Sequence, residues 1–118
     1  MTESAYDLFH EGQNRLRSGL TAQATVPLEK AKKLEPAKAS IREALGIAYF
    51  RLARWGDAER EFRTIVEELS PTDHYAHYAL GRALEHQGKT AEANGHYKLA
   101  SSMKPSSETY SSRILDLE

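Results

Sequence analysis

The chain has 118 residues, of which 28% are charged and 40% hydrophobic, and its formal net charge is −1. These values fit a single globular domain with one small core. A charge so close to zero provides no general attraction to nucleic acid or to an anionic membrane, so neither is an expected partner. Cysteine is absent, which excludes a disulfide framework and thiolate chemistry.

The first residues and the hydropathy pattern give no sign of export or membrane insertion. No apolar stretch approaches the roughly 20 residues of a membrane span. The start, Met1-Thr2-Glu3-Ser4, has neither the basic segment nor the apolar core of a signal peptide. We therefore expect a cytoplasmic protein, and the absence of cysteine fits a reducing compartment.

One spacing recurs three times along the chain. A glycine is followed by an alanine 12 residues later and by a proline 12 or 13 residues after that. The three sets are Gly12, Ala24 and Pro36; Gly46, Ala58 and Pro71; and Gly81, Ala93 and Pro105. The period of 34 or 35 residues is typical of helix–turn–helix solenoids. We predict one all-α domain over 1–118, with repeats at about 5–38, 39–73 and 74–107.

The first repeat opens with a cap signal and contains two irregular features. Ser4, with Asp7 three residues later, predicts the start of the first helix, and Thr21 can cap the second, after a turn at Gly19. Pro27 falls inside the second helix and should bend it, or delay its start to about 26.

Glu11 and Arg15 of the first helix stand where apolar core positions are expected. Their i, i+4 spacing predicts an ion pair on the surface. Phe9 and Leu16 should then lie toward the second repeat, or, alternatively, this helix packs on a second copy of the chain.

The later helices carry similar start and stop signals. Ser40 with Glu43 reads as a capping box, and Asp73 and Thr90 can cap the helices of the third repeat, with Gly88 in the turn between them. One extra residue in repeat two falls within 67–70. A terminal helix over about 107–117, capped by Ser106 or Ser107, should cover the last apolar face. Its apolar residues are Tyr110, Ile114, Leu115 and Leu117.

This ordered set resembles the tetratricopeptide repeat (TPR) family over nearly the whole chain. The resemblance includes a large residue four positions after each repeat alanine and a small or apolar residue three positions later. These are Leu28, Phe62 and Tyr97, followed by Ala31, Ile65 and Ala100. The resemblance implies a right-handed α-solenoid of three repeats that acts as a non-enzymatic protein-binding scaffold. The sequence departs from the family at its aromatic fourth position, where Leu8, Arg42 and His77 stand.

The first helices of repeats two and three separate into two faces at 100° per residue. One face is apolar and predicts the core: Leu45, Ala48, Tyr49 and Leu52, and then Leu80, Ala83 and Leu84. The resemblance implies that the opposite face lines a concave groove. We predict a partner-binding site there, formed by Phe9, Arg17, Glu43, Ile47, Phe50, Arg51, Tyr75, Tyr78, Arg82 and Glu85. Alternatively, the apolar members pack only on neighbouring helices.

Signals for other chemistry are weak. His74 and His77 lie three residues apart beside Asp73, but a closed zinc site needs about four ligands, so we predict no metal. No nucleophile and base arrangement and no glycine-rich phosphate loop is found, so we predict no catalytic residues and no cofactor.

The predicted function is therefore a scaffold that binds a protein, as a peptide or a partner helix, in its groove. The family grips chaperone tails with lysine, asparagine and arginine at its fifth and ninth repeat positions. Here those positions are Phe9 and Gln13, Glu43 and Ile47, and Tyr78 and Arg82, so only Arg82 fits that chemistry. The alternatives are a self-assembling module, from monomer to weak homo-oligomer, and a subunit that joins a larger complex through its convex face.

Overall fold

The computed structural model describes residues 3–114, and within that range it contains seven α-helices and no β-strand. The helices are α1 Ala5–Arg17, α2 Thr21–Leu34, α3 Ala39–Arg51, α4 Trp55–Thr64, α5 His74–His86, α6 Thr90–Met103 and α7 Glu108–Ser111, with a π-helical segment Ile65–Leu69 after α4. The Cα extents of 57 × 24 × 22 Å are those of a stack of helix pairs. The predicted all-α solenoid is confirmed. The terminal helix, expected over about 107–117, ends earlier, at Ser111, and residues 112–114 are not helical. Leu115 and Leu117 lie outside the described residues.

The repeat glycines explain how the two helices of each pair approach so closely. A Cβ atom on Gly46 would lie 2.6 Å from the Phe62 ring, and one on Gly81 would lie 2.5 Å from the Tyr97 ring. No side chain fits at those distances, so each ring occupies the space that the missing Cβ leaves. Gly12 stands in the same relationship to Leu28.

The turn between the helices of each pair needs a residue in the left-handed region. Gly19 and Gly88 adopt φ values of +79° and +78°, as expected of turn glycines. Ala53 occupies the same place in repeat two with φ +58°. A Cβ atom is strained in that conformation, so the alanine carries a local cost that the glycines avoid.

The extra residue of repeat two is accommodated by a π-helical turn. The amide of Ser70 donates to the carbonyl of Ile65 at 2.7 Å, an i to i+5 bond. A π-turn inserts one residue into a helix without breaking it. The buried side chains Ile65 and Val66 thereby stay in the core.

Three of the predicted helix caps are confirmed and three are wrong. Ser4, Asp73 and Ser107 accept hydrogen bonds from the amides three residues later. Thr21 and Thr90 are instead the first helical residues, and Ser40 lies inside the first turn of α3. The tight turns start these two helices one residue earlier than predicted, because the amides of Leu20 and Lys89 donate hydrogen bonds to carbonyls of the preceding helices. Those residues then take the N-cap positions without a side-chain bond.

Pro27 does not delay α2, which begins six residues earlier at Thr21, so the expected late start is wrong. The expected bend stays a prediction. Proline lacks the amide that would bond the carbonyl of Gln23. The guanidinium of Arg15 donates to that carbonyl at 2.9 Å instead.

The core follows the apolar face of the first helices. Leu45, Leu80 and Leu84 are fully buried, as predicted, whereas Leu52 is half-buried. Phe9 and Leu16 of α1 pack against this core. The non-core faces of the first helices lie on one side of the stack, since residues of α1 and α3 line one surface cavity together and residues of α3 and α5 line another.

Candidate functional site

A cavity of about 220 Å³ lies between α3 and α5, and we call it the α3–α5 cavity. Its lining combines an apolar and aromatic floor with two arginines, and it contains no carboxylate. The lining residues are Ile47, Phe50, Arg51, Phe62, Tyr75, Tyr78, Ala79 and Arg82. Six of these belong to the predicted groove, so residues that are 35 positions apart meet here.

A second cavity of about 220 Å³, the α1–α3 cavity, adjoins the first. It shares Ile47 and Arg51 with the α3–α5 cavity, and the two together are called the groove below. Its lining is more polar: Phe9, Gln13, Leu16, Arg17, Ser40, Glu43, Ala44, Ile47 and Arg51. The predicted residues Phe9, Arg17 and Glu43 therefore lie next to the others.

Glu85 is the one predicted residue that lines neither cavity. Its carboxylate accepts a hydrogen bond of 2.6 Å from the Tyr97 hydroxyl, which comes from α6. Burial and then this bond raise the pKa of Tyr97. Glu85 thus supports the α5–α6 contact, and its charge is not part of the cavity lining.

The tyrosines give the α3–α5 cavity a floor that is apolar but can donate hydrogen bonds. Tyr75 and Tyr78 are half-buried, with ring centroids 6.3 Å apart, and Tyr78 lies 5.1 Å from the Tyr110 ring. Burial, and next the charge of Glu43, raises the pKa of Tyr75. This hydroxyl therefore stays protonated at neutral pH and can donate to a bound acceptor.

Arg82 is held in place by two contacts. Its Nη1 donates to the Tyr78 hydroxyl oxygen at 3.2 Å, and its guanidinium lies 5.2 Å from the centre of the Phe50 ring. The hydroxyl accepts in that bond, so its own hydrogen is left for another acceptor. Arg51, on the rim, is exposed and forms no ion pair with any residue in 3–114.

Glu43 is the carboxylate of the groove. It is half-buried and makes neither a hydrogen bond nor an ion pair within the described part of the chain. Burial, and next the charge of Asp73, raises its pKa. The unbound protein therefore carries a partly desolvated negative charge in the groove, near the N-terminal end of α3.

Sequence reasoning missed an aromatic cluster at one end of the groove. The Trp55 ring stacks on His86 with a centroid distance of 4.0 Å and an interplanar angle of 8°, and its centroid lies 4.9 Å from that of Phe50. Trp55 is the single tryptophan of the chain. The sequence feature that could have drawn attention to Trp55 is its position two residues after Ala53, at the start of α4.

The remaining histidines have structural partners. His77 is buried as expected, and its Nε2 lies 2.8 Å from the Pro71 carbonyl oxygen, so this nitrogen carries a hydrogen. Its Nδ1 lies 3.0 Å from Nδ1 of His96. His74 is half-buried, not solvated, and bonds the Tyr110 hydroxyl at 2.8 Å. No group of three or more metal-binding side chains occurs within 3–114.

Comparison with known proteins places the chain among helical repeat proteins. A family profile described as Tetratricopeptide repeat matches residues 43–108. No curated protein matches the chain in sequence. Among the helices in 3–114, none is both long and apolar enough to cross a membrane.

Solved structures share the fold at low sequence identity. The first TPR of Spaghetti (RPAP3), bound to the HSP90 peptide SRMEEVD, has a TM-score of 0.88 and 22% identity, covering 94% of this chain and 87% of its own. A crystal structure of MamA has a TM-score of 0.89 and 24% identity, covering 93% and 64%. The Arabidopsis OM64 TPR domain has a TM-score of 0.88 and 18% identity, covering 93% and 90%.

Proposed function

The chain belongs to the tetratricopeptide repeat family, and we propose that it is a non-enzymatic scaffold that binds a peptide segment of a partner protein in the groove. The observation that carries the proposal is the α3–α5 cavity. It keeps aromatic side chains half-buried beside two arginines, and large apolar and guanidinium groups dominate binding hot spots.

The comparisons support the class of partner and not its identity. The RPAP3 domain is a peptide-binding domain of the same fold. Relatives that bind chaperone tails do so with lysine, asparagine and arginine at the fifth and ninth repeat positions. In this chain those positions are occupied by Phe9, Gln13, Glu43, Ile47, Tyr78 and Arg82. Only Arg82 is one of the residue types that the clamp uses, so the proposed partner is not a chaperone tail. The cytoplasm remains the proposed compartment.

The groove should act as a rigid binding surface. Each first helix is fixed to its pair by the contact between a glycine and a large side chain, as between Gly46 and Phe62. A surface that is already ordered loses little entropy when a ligand binds. The scaffold needs no reacting group to perform this function.

The experiment is a selection of peptides from a random phage library on the immobilised protein. A triple variant with Ile47, Tyr78 and Arg82 changed to alanine should lose the selected peptides. A matched triple variant on the outer surface, with the exposed Lys30, Glu68 and Lys98 changed to alanine, should keep them. Equal binding by the groove variant, with helicity unchanged, would place the function elsewhere on the surface. A sedimentation series over concentration separates the scaffold from a self-assembling module.

A further inference from the structure

We propose that the partner is an extended segment with an internal acidic side chain next to an apolar one. The apolar side chain fills the α3–α5 cavity, and the acidic group binds between Arg51 and Arg82. This inference rests on the proposed function and specifies the chemistry of its ligand.

The charge of the α3–α5 cavity favours an anion. Its lining includes Arg51 and Arg82 and no carboxylate. Glu85 lines neither cavity, and its carboxylate accepts from Tyr97. The carboxylate of the groove, Glu43, lies in the adjoining cavity. Two guanidinium groups beside a low-dielectric aromatic floor attract a carboxylate more strongly than the same groups in water. The formal net charge of the whole chain is −1, so this positive region is local.

The guanidinium of Arg82 and the hydroxyl of Tyr78 contact one another at the cavity before any ligand binds. Arg82 is held by the Tyr78 hydroxyl and the Phe50 ring, so it has less conformational freedom to lose on binding. The hydroxyl of Tyr78 accepts from Arg82 and can donate its own hydrogen to the bound carboxylate. A guanidinium and a phenol that already contact one another thus form one recognition element.

The size of the cavity favours an extended segment over a helix. The space of about 220 Å³ holds one large apolar side chain, whereas the backbone of an α-helix, roughly 10–12 Å in diameter with its side chains, cannot enter it. In an extended segment the neighbouring side chain can then be directed to the rim. An extended chain also leaves its backbone free to bond the tyrosine hydroxyls.

The adjoining cavity predicts a second acidic position. The α1–α3 cavity carries Arg17 as well as the shared Arg51. Neighbouring helices pack about 8–10 Å apart. One three-residue turn of an extended polyproline II chain covers about 9 Å and brings the side chain back to the same side, so a second acidic side chain three residues from the first reaches Arg17. Glu43 repels acidic groups on the opposite side of that cavity, and this fixes where the acidic positions lie.

The test uses the whole chain and three fluorescein-labelled peptides of about ten residues, followed by fluorescence anisotropy. The acidic probe has two glutamates three residues apart with phenylalanine and leucine between them, in a Gly/Ser context, with both ends blocked. The neutral probe replaces both glutamates with glutamine. The third probe has the glutamines and a free C-terminal carboxylate.

The acidic probe should bind at least about tenfold more tightly than either of the others, a factor that corresponds to about 1.4 kcal/mol. Arg51→Ala and Arg82→Met should each remove most of this preference, with helicity unchanged. Arg60→Ala, which removes an exposed arginine of α4, should leave it intact. The affinity should fall as salt rises.

Three results would overturn the inference. Equal affinity of the acidic and neutral probes would remove the acidic requirement. Tighter binding of the third probe would mean that a chain terminus is recognised. Absence of acidic-probe binding would reject the stated ligand. In each case the proposed function survives if phage-selected peptides still need Ile47 and Tyr78, so the two failures are distinguishable.

Discussion

The guanidinium Nη1 of Arg15 donates a 2.9 Å hydrogen bond to the main-chain carbonyl oxygen of Gln23, one helix away. That carbonyl would bond the amide of residue 27, which is a proline and has none. Glu11 forms an ion pair with the same arginine and so holds it in position. The two charged residues that looked misplaced in α1 therefore supply the hydrogen bond that Pro27 removes from α2.

Replacing Arg15 with methionine should lower the free energy of unfolding by about 0.5–1.5 kcal/mol, since Gln23 then loses its protein donor. In a Pro27→Ala background the new amide bonds Gln23, so the same replacement should cost clearly less. Chemical denaturation of the four proteins measures this coupling. Equal costs in the two backgrounds would show that Arg15 acts only through Glu11.

Ala53→Gly should stabilise the protein by about 0.5–1 kcal/mol, because φ is +58° at that residue and glycine adopts this region without strain. The reciprocal change, Gly19→Ala, should destabilise by a similar amount, since nothing lies within 4 Å of its added Cβ and only the φ of +79° opposes it. Thermal melts of both variants test the pair. A destabilising Ala53→Gly would mean that unfolded-state entropy outweighs the turn strain.

The pair formed by buried His77 and half-buried His96 should make stability depend on pH. The pKa of His96 is lowered first by burial, next by the electrostatic effect of His77 and then by that of Arg63. The charges of Glu92 and Glu67 act in the opposite direction, with smaller effect. The unfolded chain binds this proton more tightly, so stability is complete above the ordinary pKa near 6.5 and falls as the pH drops below it. The geometry agrees, because Nε2 of His77 donates to Pro71, leaving Nδ1 to accept from His96.

We expect His96→Gln to reduce the loss of melting temperature between about pH 6.5 and 5. His10→Gln is the matched control, since His10 is exposed on α1, and it should leave the slope unchanged. The same pH slope in wild type and His96→Gln would show that another group titrates with unfolding.

Periodicity was enough to predict the three helix pairs, because spacing along a helix decides its faces. Together with the family resemblance it also predicted nine residues that line the two cavities, whereas Glu85 lines neither. It could not predict contacts between elements. Trp55 and His86 stack although they are 31 positions apart, and Glu85 bonds Tyr97 across a helix pair. Helix starts at Thr21 and Thr90 were misassigned because the backbone bonds of the glycine turns, and not side-chain caps, fix them.

The last prediction concerns Glu43, whose position in the groove opposes stability. Its folded pKa is raised above the ordinary value of 4.5, first by burial and then by Asp73. The penalty is therefore absent below the unfolded pKa and fully present once the pH exceeds the folded one. Glu43→Gln removes it at neutral pH. Since the side chain is only half-buried, screening reduces the effect, and we expect a gain of about 1–2 °C in melting temperature.

That gain should vanish near pH 4, where wild-type Glu43 is largely protonated, while the exposed control Glu68→Gln should show no such change. Glu43→Gln should also weaken the discrimination of the α1–α3 cavity, so that a probe with an added glutamate beside the first one binds more tightly than it does to wild type. Calorimetric melts at several pH values and anisotropy titrations measure the two effects. An unchanged melting temperature together with unchanged probe affinity would show that solvent already screens this carboxylate and that it does not set the position of the partner.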